Sequence, residues 1–199
     1  MMAWQEIDTV ICFSKQDIVD EAEEKRLQDV YRLSGSRVIT FSNTQNTGIG
    51  EIKDCLRGRT TVLAGPSGVG KSSLVNRIYP EAASETGAVS EKIGRGKHTT
   101  RHSELFYIGE DSFLFDTPGF SSLKVPDVPK EQLRGLFHEF SPYEAECRFL
   151  MCSHIHEPEC MVRKNLEKGL IDQNRYNNYV QMYEELAESE KRNYGRNRK

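Results

Sequence analysis

The sequence predicts an α/β fold built on a mostly parallel sheet, followed by a small helical region organised around a metal. Three observations carry this. Short apolar runs alternate with helical stretches between Thr9 and Phe115, the pattern of a layered α/β sheet. The run TTVLA, Thr60 to Ala64, passes straight into GPSGVGKSS, Gly65 to Ser73, and on into LVNRI, so strand, glycine loop and helix follow in order. Three of the five cysteines, Cys147, Cys152 and Cys160, cluster near the C-terminal end, while Cys12 and Cys55 stand alone.

Each element has its own justification. Thr9 to Phe13 (TVICF) predicts the first strand, and it closes on the polar tip SKQD, Ser14 to Asp17, the shape of a ligand-facing edge in an open sheet. Asp20 to Leu33 carries Ala22, Leu27, Val30 and Leu33 at helical spacing, with Gly35 as C-terminal cap. Arg37 to Phe41 is the second strand, followed by SNTQNTG and a helix bearing Ile49, Ile52 and Leu56. Thr60 to Ala64 is the third strand, and its helix stops at Pro80, which cannot continue it. Ala82 to His102 lacks apolar periodicity and reads as a long mobile loop. Leu105 to Ile108 and Phe113 to Phe115 predict a hairpin around Gly109 to Ser112, running into DTPG, Asp116 to Gly119. Beyond Pro126 the character changes. Pro129 takes the place of a first helical residue, and Leu133, Leu136, Phe137 and Phe140 make an amphipathic face. Asp172 is an N-cap for a helix with Tyr176, Tyr179, Val180, Tyr183 and Leu186, and the chain ends in the polar, basic SEKRNYGRNRK, whose final residues are expected to be disordered when alone.

The 199 residues suit one α/β domain plus a small appendage. No apolar run approaches the roughly 18 residues of a membrane span, and no basic stretch leads an apolar one at the N-terminus. The expectation is a cytoplasmic monomer with no membrane partner. A net charge of −3 hides an asymmetry, acidic from Asp17 to Glu24 and basic at Lys92 to His102 and Lys191 to Lys199. A local basic face is what RNA or phosphate would sense. In a cytosolic chain, clustered cysteines favour a metal over disulfides.

The loop Gly65 to Ser73 fits G-x-x-x-x-G-K-[ST] in full. Backbone N–H groups of Gly65, Pro66, Ser67, Gly68, Val69 and Gly70 (proline supplying only its turn), backed by the positive end of the next helix, cradle phosphate oxygens. Lys71 reaches the terminal phosphates, Ser72 offers a hydroxyl to Mg²⁺, and Ser73 completes the first helical turn. Asp116, at a strand end, suits Mg²⁺ held through water, and the Gly119 N–H suits the terminal phosphate. The loop also resembles that of guanylate kinases, so the flanks must decide. SKQD lies one residue from the N-K-x-D with which GTPases read guanine. There the aspartate accepts from the ring N1–H and the exocyclic amine, roles that Asp17 and Lys15 keep. Ser42, Asn43 and Thr44 resemble the loop whose backbone N–H meets guanine O6.

Order is the diagnostic feature: Ser14 to Asp17 and Ser42 to Thr44 precede the phosphate loop, as in circularly permuted GTPases. Along nearly its full length the chain resembles the ribosome small-subunit-dependent GTPase A family. Gly94 to Thr100 (GRGKHTT) is similar to that family's first switch, and the cysteine cluster to its zinc motif. The resemblance implies a circularly permuted GTPase domain over 1–126 and a zinc-binding α-helical domain with a basic tail over 127–199. It implies GTP hydrolysis, a role in late maturation of the small ribosomal subunit, and contact with its rRNA. It departs at two places. Ser14 replaces asparagine, removing an amide that bonds the base and braces the loop; such a bond is worth about 0.5–1.5 kcal/mol, so guanine binding should be weakened. The family also usually opens with an OB-fold domain, whereas Met1 lies just before the Thr9 strand. The expectation is a fragment or a short member.

For hydrolysis, Lys71, Ser72, Asp116, Gly119 and a switch threonine, Thr99 or Thr100, supply the charge and the metal site. Phe120 stands where a water-orienting glutamine would help and can neither donate nor accept. A slow GTPase follows, stimulated by a partner that orders Lys92 to His102, with Arg95, Lys97, His98 and Arg101 as phosphate or RNA contacts. Cys147, Cys152, His154 and Cys160 give C-x4-C-x-H-x5-C, a closed set for structural Zn²⁺; His154 matches the family position, and His156 is left to solvent. Two rivals stay open: a nucleotide monophosphate kinase, and a non-catalytic GTP-bound RNA-binding module.

Overall fold

The computed structural model describes residues 2–80, 104–116, 125 and 127–196. The chain divides into two compact units, one of Val10–Glu24 and Val38–Leu123, the other of Met1–Thr9, Lys25–Arg37 and Lys124–Lys199.

In the first unit, β1 (Val10–Phe13) pairs with β2 (Arg37–Thr40), and the Phe41 N–H extends the pairing to the Phe13 carbonyl at 2.9 Å. A second sheet has the order β3 (Thr60–Leu63), β5 (Phe113–Asp116), β4 (Glu104–Tyr107). Strands β3 and β5 run parallel, Thr60 opposite Phe113 and Leu63 opposite Asp116, while β4 returns antiparallel to β5. The hairpin turns at Glu110 and Asp111, both at positive φ (50° and 53°), the conformation of mirror-image turns that match strand twist. Among the described residues the strands thus form two sheets.

Helices α2 (Ile49–Leu56) and α3 (Lys71–Ile78) each present one apolar stripe at helical spacing. Ile49, Ile52, Leu56, Leu74, Val75 and Ile78 bury it against Ile39, Phe41 and Leu114. Val62 in the apolar run TTVLA is 50% exposed, because β3 alternates and presents only one face to this core. Helix α1 (Glu21–Tyr31) starts where Asp20 Oδ1 accepts the Glu23 N–H at 2.8 Å, a side-chain N-cap.

The second unit is aromatic at its centre. Phe140 and Tyr179 are fully buried and meet edge to face, centroids 4.9 Å apart, with Phe137 on Tyr179 at 5.1 Å. Its helices are α4 (Lys130–Leu133), α5 (Ser141–Glu144), α6 (Met161–Glu167) and α7 (Gln173–Arg196). Pro129 stands just outside α4 rather than in its first turn. The continuous helix expected over Leu133 to Phe140 is broken into 3-10 turns at Arg134–Leu136 and His138–Phe140. Gly135 weakens a helix there, and Phe137 leaves helical geometry at φ −103°, ψ 80°. That break turns Phe137, Glu139 and Phe140 all inward, which an unbroken helix could not do. Asp172 caps α7, its Oδ1 accepting N–H bonds from Asn174 (2.9 Å) and Arg175 (3.0 Å). Helix α7 continues through Arg196 into the basic end, because Glu, Lys, Arg and Ala are strong helix formers; residues 197–199 lie outside the described residues. No described helix is long and apolar enough to cross a membrane.

Candidate functional site

The candidate base-reading end grows from β1. After Ser14, Lys15 takes a left-handed conformation at φ 66° and starts a 3-10 turn, Gln16–Ile18. That turn lifts Asp17 beside the loop after β2. The Gln16 N–H donates to the Phe41 carbonyl at 3.1 Å, and its side chain bridges Glu24 (2.8 Å) and Thr47 (2.9 Å). Glu24 also accepts from the Thr40 hydroxyl. Fully buried Ser42 gives its one proton to Asp17 Oδ1 at 2.5 Å and accepts the Gln45 N–H at 3.1 Å; Thr44 Oγ1 lies 2.8 Å from the same hydroxyl. The Ser42 hydroxyl, and after it Thr44, hold the Asp17 carboxyl below its ordinary value. Asp17 is thus an exposed, ionised acceptor, suited to paired N–H donors.

The phosphate loop, Gly65 to Gly70, links β3 to α3. Gly70 has φ 91°, a conformation that suits glycine. Its carbonyl takes the Leu74 N–H at 2.9 Å, the first bond of α3. Lys71 folds back over the loop, donating to the Gly65 (2.7 Å) and Pro66 (2.8 Å) carbonyls. An ammonium has three donors, so these two bonds leave one for a phosphate. Ser72 and Ser73 are exposed in the first turn of α3. The β3–β5 register sets Asp116 opposite Leu63, at the strand end from which the phosphate loop leaves. Thr99, Thr100 and Gly119, with the basic segment Lys92 to His102 and Phe120, lie outside the described residues.

The other unit holds the cysteine cluster. Single ligating atoms of Cys147, Cys152, His154 and Cys160 all lie within 4.8 Å of one another. His154 Nδ1 is 3.7 Å from Cys147 Sγ and 3.4 Å from Cys160 Sγ; a tetrahedron with ordinary Zn–S and Zn–N bonds has S···N edges of about 3.5 Å. Burial pushes the Cys152 thiol up to about 12 and raises Cys160 likewise, so bare thiolates are disfavoured and a cation would compensate them. His156 is exposed and does not belong to the group.

The knuckle carrying these ligands is heavily supported. His154 sits at φ 62°. Its carbonyl accepts the Tyr176 hydroxyl, and the Ser153 carbonyl accepts the Tyr179 hydroxyl, both at 2.6 Å. Glu157 accepts from the Ser153 N–H (2.7 Å) and hydroxyl (3.0 Å) and from the Ile155 and His156 N–H groups. Burial pushes the Glu157 carboxyl up, but these bonds together outweigh it and leave it at about 2. Arg134 donates to the Leu150 and Cys152 carbonyls.

Comparison with known proteins assigns the lineage. The RsgA GTPase family model matches residues 1–126. The chain belongs to the RsgA GTPase family. Among its RsgA relatives, the small ribosomal subunit biogenesis GTPase RsgA of Agathobacter rectalis is 49% identical over 191 residues, covering 96% of this chain and 63% of that protein. The protein of the same name from Alkaliphilus metalliredigens is 45% identical, covering 93% and 63%. The crystal structure of YjeQ from Thermotoga maritima superposes with a TM-score of 0.71 at 34% identity, over 94% of this chain and 62% of that one. YloQ, described as a circularly permuted GTPase, gives 0.71 at 30% identity, over 94% and 60%. The chain thus spans about three-fifths of the length of these relatives. The fold is the circularly permuted GTPase fold that the motif order predicts.

In this RsgA-family chain the sequence displays the clustered side chains but not their supports. Tyr176 and Tyr179 read as a helical apolar face, and their hydroxyls were the unused signal, since buried tyrosine oxygens seek partners. Glu157 lay in an E-P-E turn whose carboxylate had a role beyond the turn.

Proposed function

We propose that the chain binds and hydrolyses GTP in late maturation of the small ribosomal subunit, slowly alone and faster on the subunit, through contact with its rRNA. The observation that carries the guanine reading is Asp17, held ionised by Ser42 within the same compact unit as the phosphate loop. The relatives' printed name, small ribosomal subunit biogenesis GTPase, supports the process.

Ser14, Lys15 and Asp17 face the base together with the backbone of the Ser42–Asn43 loop, and Gly65 to Ser73 hold the phosphates. Lys71 keeps charge on the terminal phosphates as the transition state forms, and Ser72, Asp116 and Thr99 or Thr100 would hold Mg²⁺. A Mg²⁺ ion held there would supply positive charge against the negative charge that develops on the phosphates. The Gly119 N–H meets the terminal phosphate, while Phe120 supplies no hydrogen bond to the attacking water. A group supplied in trans can be worth roughly 10³–10⁵ in rate, and Arg95, Lys97, His98 and Arg101 are the contacts through which the subunit acts. A structural Zn²⁺ on Cys147, Cys152, His154 and Cys160 would stabilise the fold of the helical domain, 127–199, which follows the GTPase domain, 1–126, in the chain. The chain acts as a cytoplasmic monomer.

The test measures guanine against adenine nucleotide affinity, and GTP turnover with and without purified small subunits. Guanine selectivity with subunit-stimulated turnover is expected. Fast turnover that subunits leave unchanged, or phosphate transfer to GMP, defeats the reading.

A further inference from the structure

We propose that the Asn43 side chain is a positioning residue that holds the base-reading loop in register with the phosphate loop, so that neighbouring residues Ser42 and Asn43 together bridge the two halves of the nucleotide site. The inference rests on the guanine-nucleotide reading above and deepens it.

Four observations converge. Asn43 Nδ2 donates to the Gly70 carbonyl at 3.3 Å, a bond between residues 27 apart in sequence that joins the loop after β2 to the last residue of the phosphate loop. The same carbonyl receives the Leu74 N–H, so Asn43 occupies its second lone pair at the point where α3 and Lys71 begin. A Cβ built on Gly70 would lie 3.0 Å from Asn43 Nδ2, so glycine at this position leaves room for the amide. Finally, Asn43 Oδ1 is buried without a partner among the described residues. A carbonyl acceptor demands the amide's donor end, which fixes the plane and points Oδ1 away. A buried acceptor left bare is a cost, and it is explained if the donor end is what the position needs.

The consequence is energetic preorganisation. Ser42 fixes the Asp17 carboxylate, and the next residue along the backbone fixes Gly70. A ligand with base and phosphates must engage both loops at once, and their prior alignment removes part of the ordering cost of binding. A ligand that touches only one loop gains nothing. Asn43 therefore acts through the loops' relative placement; its backbone N–H keeps whatever role it has toward the base.

The test uses the full chain and the variants Asn43→Ala and Asn43→Asp, the latter setting a carboxylate against the Gly70 carbonyl. Affinity for GDP is measured with a fluorescent GDP analogue, and affinity for guanosine by competition, after thermal melts confirm that each variant unfolds cooperatively. Asn43→Ala should weaken GDP binding about two- to tenfold, leave guanosine within about twofold, and leave guanine-over-adenine preference intact; Asn43→Asp should weaken GDP further. GDP bound as tightly by Asn43→Ala as by wild type, or guanosine weakened in equal proportion, overturns the inference alone. A wild-type chain without guanine preference overturns the functional reading and the inference with it.

Discussion

Around the cysteine knuckle, three of the four clustered residues are buried, and two tyrosine hydroxyls, a carboxylate and a guanidinium fix its backbone. The Asp17 carboxylate, proposed above to read the base, is exposed instead, and hydroxyls hold it. A site that must keep one ion permanently can be buried and over-determined, because nothing has to enter or leave. A site that exchanges nucleotide must stay open, so its order comes from short polar tethers between loops. The comparison predicts where the chain is brittle and where it is only tunable.

The largest expected effect is at the brittle site. Metal removal by a chelator, or Cys160→Ser, should abolish the cooperative folding of the Lys124–Lys199 part, because apparent binding energies of about 10 kcal/mol or more are typical of structural zinc. Metal analysis and near-ultraviolet circular dichroism check it. A metal-free wild type with unchanged aromatic signal would break the comparison at its strongest point.

Next comes Asp17→Ala at the open site. Losing the charged acceptor should lower guanine nucleotide affinity about tenfold to a hundredfold while leaving adenine nucleotide affinity unchanged. The melting temperature should hardly move, since the residue is exposed. Equal losses for both bases would assign Asp17 to general loop integrity instead.

Tyr179→Phe is smaller and sharpens the contrast. It removes only the hydroxyl that donates to the Ser153 carbonyl and should cost about 0.5–1.5 kcal/mol of stability with metal bound. Chemical denaturation of the metal-loaded protein measures it. A neutral result would show that the ligands alone hold the knuckle.

Legibility in the sequence follows the same division. Spacing-coded features were readable: the phosphate loop between β3 and α3, the β4–β5 hairpin, the cap at Asp172, and the four clustered side chains. Their chemistry requires fixed residue types at fixed offsets, and sequence displays offsets. Long-range supports were not readable. The Asn43 bond to Gly70 and the Tyr176 bond to His154 join residues far apart in the chain, and no local pattern announces them. The break at Phe137 was missed because a 3.6-residue apolar period accommodates Leu133, Phe137 and Phe140. Buried Glu139, bonded to Arg175 at 2.7 Å, gave no such signal. The length of α7 was missed because a polar, charged tail looks solvated whether or not it is helical.

The smallest effect isolates a single tether. The Asp17 carboxyl is held below its ordinary value first by the Ser42 hydroxyl and then by Thr44, with Lys15 contributing least. A carboxyl depressed by folding contributes stability above its unfolded value of 3.8, and that contribution is lost as the pH falls through the lower, folded value. Ser42→Ala removes the leading cause, so the titration should move up toward 3.8 and the carboxylate should be lost at a higher pH than in wild type. The variant leaves the Asn43 amide in place, so the register of the two loops should survive and GDP affinity near neutral pH should fall only modestly. The side-chain carboxyl carbon of Asp17, followed by nuclear magnetic resonance across the acid range, reads this directly. An unmoved midpoint would mean that the Ser42 hydroxyl does not set the charge of Asp17, and that the open site owes its order to the Asn43 tether more than to the Ser42 bond.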